Sequence, residues 1–190
     1  MDVWRRRRRS NCSPSSPSWR CTLCTVSSFG AVVAALVEGG GRFVVVGGLA
    51  TVLHGYARLT IDVDVMVDLS DGEAIKPVAA LSRIGMVPRA PVEAREFADP
   101  AARRRWIDEK GMRVFSMWDP RRPLLEVDLF VDPPMPFEDV WSRSEAMELD
   151  GHRIRVACIA DLVALKRIAG RPKDLEDIAA LEAIAKRKGP

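Results

Sequence analysis

Apolar and polar positions alternate with two different periods along this chain, and the changes of period mark out its elements. Residues 29–38 carry Ala31, Val32, Ala35 and Leu36 at helical spacing, preceded by Ser27-Ser28 as a cap and followed by Gly39-Gly40-Gly41, which predicts a helix. Residues 43–46 (FVVV) are a short β-branched run of the kind that forms a buried strand, and Gly47-Gly48 stops it. Leu49, Ala50, Val52 and Leu53 return to helical spacing, and His54-Gly55 closes that helix. From Thr60 onward the period is two. Ile61, Val63, Val65 and Val67 fall on one face of the predicted strand and Asp62, Asp64, Met66 and Asp68 on the other.

Further along, a helix is predicted from Asp71-Gly72-Glu73 to Ile84, with Ile75, Val78, Ala79 and Leu81 inward. Residues 86–96, with two prolines, predict only short extended pieces. Asp99-Pro100 opens a helix with a capping acid and a proline in the first turn. Its Arg103, Arg104, Arg105 and Lys110 surround Trp106; a triphosphate or nucleic-acid contact is one reading, and a solvated helix with Trp106 turned inward is the preferred one. Residues 112–118 and 124–131 predict a hairpin joined through 119–123, with Glu126, Asp128 and Phe130 on one face of the second strand. After a proline-rich break, residues around Trp141 show no clear period. Residues 147–156 predict a second hairpin turning at Asp150-Gly151. Residues 159–187 predict an αα-hairpin, with Gly170 and Pro172 between its helices and acids at the start and bases at the end of the second.

Charge and length modify this picture in one respect. The 190 residues carry a formal charge of +3, yet residues 1–25 hold six arginines against one acid, leaving 23 basic and 25 acidic side chains for the rest. The folded part therefore gives no general electrostatic argument for gripping nucleic acid. The division is a basic tail over residues 1–26, expected to be disordered, and one domain over 27–190. A start of translation downstream of the tail is the preferred reading; a transit peptide, or an arginine run that binds nucleic acid or a membrane surface, are the others. Cys21 and Cys24 form a single pair without further ligands, which disfavours zinc, and Cys158 reads as a small buried hydrophobe. No run reaches the roughly 18–20 apolar residues of a membrane span. A soluble, cytoplasmic protein is expected.

The chemistry lies in the central stretch. Two same-face aspartates, Asp62 and Asp64, make a poor solvent face but a good oxygen donor set for a hard divalent ion such as Mg²⁺. The glycine pair Gly47-Gly48 ahead of a helix lets backbone N–H groups approach an anion. Gly47-Gly48, thirteen residues, then Asp62-Val63-Asp64 resembles the signature of the polymerase-beta-like nucleotidyltransferase superfamily. With His54-Gly55, Arg58 and Thr60 in place, the string looks like the branch of AbiE-type (AbiEii-like) toxin nucleotidyltransferases.

That resemblance implies an α+β fold with a mixed central sheet, flanking helices and the helical hairpin at the carboxyl end. It implies one or two Mg²⁺ (or Mn²⁺) ions held by Asp62, Asp64 and a third carboxylate on the neighbouring strand, with Asp128 preferred over Glu126. It implies a nucleoside triphosphate at Gly47, Gly48 and Lys166, the last from the string DLVALK, with Asp174 from RPKDLEDI as a further candidate. Arg58 is read either as a triphosphate contact or as a tie between helix and strand, and His54 as a packed or capping residue. The implied activity is transfer of a nucleoside monophosphate to RNA, tRNA or protein, with an antitoxin as partner. An inactive nucleotide-binding module and a structural interaction domain are the rival readings.

Overall fold

The computed structural model describes residues 29–188. The basic tail, its three cysteines and the Ser27-Ser28 cap lie outside the described residues. In chain order the elements are α1 (Gly30–Glu38), β1 (Phe43–Val45), α2 (Gly47–Leu53), β2 (Asp62–Val67), α3 (Ile75–Arg83), β3 (Val87–Pro88) and a 3₁₀ turn (Ala94–Ala98). They continue with α4 (Pro100–Lys110), β4 (Val114–Asp119), β5 (Arg122–Phe130), α5 (Phe137–Arg143), β6 (Glu145–Leu149), β7 (His152–Val156), α6 (Ile159–Ala169) and α7 (Pro172–Lys188).

The strands form one seven-stranded mixed sheet in the order β3-β4-β5-β2-β1-β7-β6. β2 runs parallel to β5 and β1 parallel to β7, while the other pairs are antiparallel. The predicted period of two holds from Asp62 to Val65 of β2, beyond which Met66 is buried too, and from Leu125 to Phe130 of β5. Val63, Val65, Leu125, Val127 and Leu129 are buried in the core, while Asp62, Asp64, Glu126 and Asp128 stand on the opposite face. Trp106 of α4 packs into that core, stacked on Phe115 at 5.3 Å between ring centroids. Its neighbour Arg103 is also buried and donates to the Phe97 and Leu69 carbonyls, so the basic cluster of α4 contributes a structural arginine rather than a continuous basic face.

Local signals placed most ends correctly. Asp99 caps α4 by accepting from the Ala101 N–H at 2.9 Å, and Gly111 and Gly170 terminate α4 and α6 in the left-handed region. Asp150 and Gly151 both have positive φ, 48° and 79°, as the tight hairpin turn between β6 and β7 requires.

Four expectations are corrected. β2 starts at Asp62 rather than at Thr60, because its ladder with β5 begins at the Asp62–Glu126 pair and Ile61 is left exposed. The β4–β5 turn is tighter than predicted: buried Asp119 accepts from the Arg121 backbone and from the side chains of Arg121 and Arg122, which draws Pro123 into β5. The stretch around Trp141 is a helix, α5, held by Arg42 lying over the Phe137 and Trp141 rings and pairing with Glu138. Cys158 is half-buried, not buried, at the start of α6.

Candidate active site

Three side chains on the polar face of the sheet converge. β2 and β5 pair in register as Asp64 with Asp128 and Asp62 with Glu126, so alternation alone brings four acids to one patch. One oxygen from each of Asp62, Asp64 and Asp128 lies within 4.8 Å of the others. Glu126 pairs instead with Arg89, 2.8 Å away, so the acid of β5 that stands with Asp62 and Asp64 is Asp128. Each remaining carboxylate has a donor: Thr60 Oγ1 to Asp62 at 3.0 Å, the Gly48 N–H to Asp64 at 3.4 Å, and Ser116 Oγ to Asp128 at 2.5 Å.

Packing anions this closely has an electrostatic cost. Burial, then the charges of Asp62 and Asp128, push the Asp64 carboxyl up to about 6. Burial likewise raises Asp128, against the Ser116 hydrogen bond that lowers it. A set of hard oxygen donors whose like charges are already strained is what a divalent cation relieves, so the residues present fit a Mg²⁺ or Mn²⁺ ion.

The glycines belong to the same patch. Helix α2 begins at Gly47 itself rather than after the pair, with Gly47 at φ +62°. A Cβ on Gly47 would sit 1.9 Å from Asp64 Oδ2, and one on Gly48 would sit 2.5 Å from Thr60 Oγ1. Only hydrogen fits at either place. A cleft of about 510 Å³ opens beside the turn, bounded by Gly47, Asp64, Asp128, Lys166 and Arg171, with Leu162, Leu165 and Phe130 as its apolar wall.

Beneath the cleft lies a charged network from α6 and α7. Lys166 Nζ is 2.5 Å from Asp177 and 3.7 Å from Asp174, and all three side chains are almost wholly buried. Arg58 also pairs with Asp177, and Arg171 with Asp174 at 2.8 Å. Three cations against two anions leave one positive charge in excess. Arg171 is the exposed member, and its charge acts on Asp64 and Asp62. Replacing Asp177 with alanine leaves buried Lys166 with Asp174 alone, at 3.7 Å, and three cations against one anion, and is expected to cost about 3–5 kcal/mol. Urea unfolding of Asp177→Ala checks this, and adding Lys166→Met should recover part of the loss.

A family model described as nucleotidyl transferase AbiEii toxin, type IV TA system, matches residues 31–188. The chain belongs to the AbiEii nucleotidyltransferase toxin family. No curated protein matches it by sequence. Among solved structures, the solution structure of the antibiotic-resistance factor ANT(2'')-Ia aligns at TM-score 0.57 and 12% identity, covering 88% of each chain. A crystal structure of ANT(2'')-Ia in complex with adenylyl-2''-tobramycin aligns at 0.54 and 14%, over 87% of this chain and 92% of that one. The lincomycin-bound lincosamide antibiotic adenylyltransferase LnuA aligns at 0.50 and 14%, over 76% and 87%. At such identities the likeness is one of fold, and the fold is that of the nucleotidyltransferases.

For this AbiEii-family enzyme, the residues singled out from sequence fall into two groups. Asp62, Asp64, Asp128, Gly47 and Gly48 meet at one point of the sheet, and Lys166 lines the same cleft. Lys166 is not a surface lysine reaching for solvent; it is 4% exposed and held by two aspartates. Arg58 ties to α7 through Asp177 rather than joining α2 to β2. His54 is buried with its Nε2 2.8 Å from the Ala157 carbonyl, a packed residue as expected. Asp177, Arg171 and Ser116 were missed. The first two stand in the RPKDLEDI string, where the spacing of Asp174 and Asp177, three apart on a helix, was the available signal. Ser116 carried none, since only the register of β4 with β5 sets it beside Asp128.

No helix among the described residues is long and apolar enough to cross a membrane.

Proposed function

We propose that this chain is a divalent-cation-dependent toxin that transfers a nucleoside monophosphate from a nucleoside triphosphate to RNA, tRNA included, under the control of an antitoxin protein. The observation that carries the reading is the convergence of Asp62, Asp64 and Asp128 beside the Gly47-Gly48 turn, at the mouth of a cleft lined by Lys166 and Arg171. Family membership supports the toxin role and the antitoxin partner.

The three aspartates would hold one or two Mg²⁺ ions, with Mn²⁺ as a substitute, and the bound ion would supply charge stabilisation at the attacking and leaving oxygens. Gly47 and Gly48 leave room for the triphosphate to approach the backbone. Arg171 would face its phosphates, while Lys166, held by Asp177 and Asp174, sets the positive potential behind them. An acceptor hydroxyl would bond to the α-phosphorus as the bond to the bridging oxygen breaks and pyrophosphate leaves. Asp128, whose carboxyl is raised by burial, would take the hydroxyl proton on its Oδ2, the oxygen not held by Ser116.

The test is transfer of label from nucleotides carrying it at the α- or γ-phosphate to total cellular RNA, with Mg²⁺ or Mn²⁺ present. Label should move from the α-position only, and Asp62→Ala should reduce transfer by about 10³-fold, the scale of losing a main stabiliser of transition-state charge. Nucleotide binding without transfer to cellular RNA or to protein under either cation would sink the proposal in favour of an inactive module. Transfer to protein instead of RNA would correct the acceptor alone.

A further inference from the structure

The carboxylates of the cluster are not free rotors. The last torsion of an aspartate is broad and roughly two-fold, so a carboxylate crowded by two others turns away from them unless something holds it. Ser116 comes to Asp128 from β4, where the register sets the two side by side, and its hydroxyl donates to Asp128 Oδ1 at 2.5 Å. Thr60 comes to Asp62 from the segment before β2, is itself buried, and donates to Asp62 Oδ1 at 3.0 Å. The two hydroxyls do the same thing for two of the three carboxylates. Thr60 also stands 2.5 Å from where a Cβ on Gly48 would lie, which links the second glycine to this hydroxyl.

We propose that Ser116 and Thr60 are positioning residues of the carboxylate cluster, each fixing one oxygen of its aspartate so that the remaining lone pairs converge on a divalent cation. This rests on the reading of the cluster as a cation site, given above. Neither hydroxyl touches the reacting atoms; each acts through its aspartate. Groups of this kind, once removed, commonly lower metal affinity by about 10–100-fold.

The experiment is binding of Mn²⁺ alone to the nucleotide-free protein, by electron paramagnetic resonance and calorimetry, with a thermal melt of each variant. Ser116→Ala and Thr60→Val should each weaken Mn²⁺ binding about tenfold or more, while Ser116→Thr and Thr60→Ser, which keep the hydroxyl, should stay near the wild-type affinity. Equal Mn²⁺ affinity in the wild type, Ser116→Ala and Thr60→Val would overturn the inference and leave the cation site standing. Absence of Mn²⁺ binding to the wild type would overturn the cation site itself, and this inference with it. Weakening that follows a lower melting temperature, and that the hydroxyl-retaining variants share, would assign both residues to the fold alone and overturn the positioning role.

Discussion

Gly47→Ala will abolish most nucleotidyl transfer and lower stability at the same time. The new methyl group would lie 1.9 Å from Asp64 Oδ2 and 2.5 Å from its Cγ, far inside van der Waals contact, so either the turn or the carboxylate must move. Gly47 also has φ +62°, where a side chain costs about 1–2 kcal/mol before any clash. Displacement of a catalytic group by about 1 Å costs on the order of 10²-fold in rate, and Asp64 is the aspartate closest to the turn. Transfer of α-label should therefore fall by about 10²-fold or more, with a melting temperature several degrees lower. Gly40→Ala is the matched control, with φ +67° and open space around the added carbon. It should show the strain in a melt and leave transfer unchanged. Loss of transfer in the control as well would mean that strain, not the contact with Asp64, is responsible.

Asp64→Asn should separate activity from stability. At pH 7.5 the wild-type carboxyl is ionised in folded and unfolded chains alike, but its folded value of about 6 against an ordinary 3.8 means that folding has to hold a charge it disfavours. The linkage runs opposite to that of a salt-bridged aspartate. The cost is fully present above about pH 6, is relieved as pH falls through the folded value, and is gone below about 4. Its ceiling is about 3 kcal/mol from the size of the shift. In cation-free buffer at pH 7.5 the asparagine variant should thus melt a few degrees above the wild type, and the gap should narrow below pH 6 and close by about pH 4. Mg²⁺ should raise the wild-type melting temperature at pH 7.5 and do little below pH 5, where protons compete for the same oxygens, and it should leave the variant nearly unmoved. Transfer by the variant should drop by about 10³-fold. A variant less stable than the wild type without cation would show that Asp64 is held by favourable contacts and is not electrostatically strained.

The two halves of the site differ in how far they could be read in advance. The strand, glycine turn and helix over residues 43–53 and the alternation from Asp62 to Val67 are local, because a period of two and a glycine break act on neighbouring residues. The same holds for the cap at Asp99, the left-handed ends at Gly111 and Gly170 and the turn at Asp150-Gly151. Where a long-range partner supplies the energy, the pattern was silent. Helix α5 has no strong period of its own and exists against Arg42, some 96 residues earlier in the chain, whose guanidinium pairs with Glu138 and covers two aromatic rings.

By itself, then, the order of residues determined the mixed α+β plan, the pairing of Gly47-Gly48 with Asp62 and Asp64, and the kind of chemistry they serve. Tertiary structure decided which acid on β5 joins them. Asp128 and Glu126 share a face two residues apart, and Arg89 drawing away Glu126 and Ser116 holding Asp128 distinguish them. It also decided that Lys166 is interior: a lysine on a helix carries no mark of burial until Asp174 and Asp177 arrive from the next helix to neutralise it. Side-chain alternation is a property of one strand, whereas burial of charge is a property of the partners that surround it.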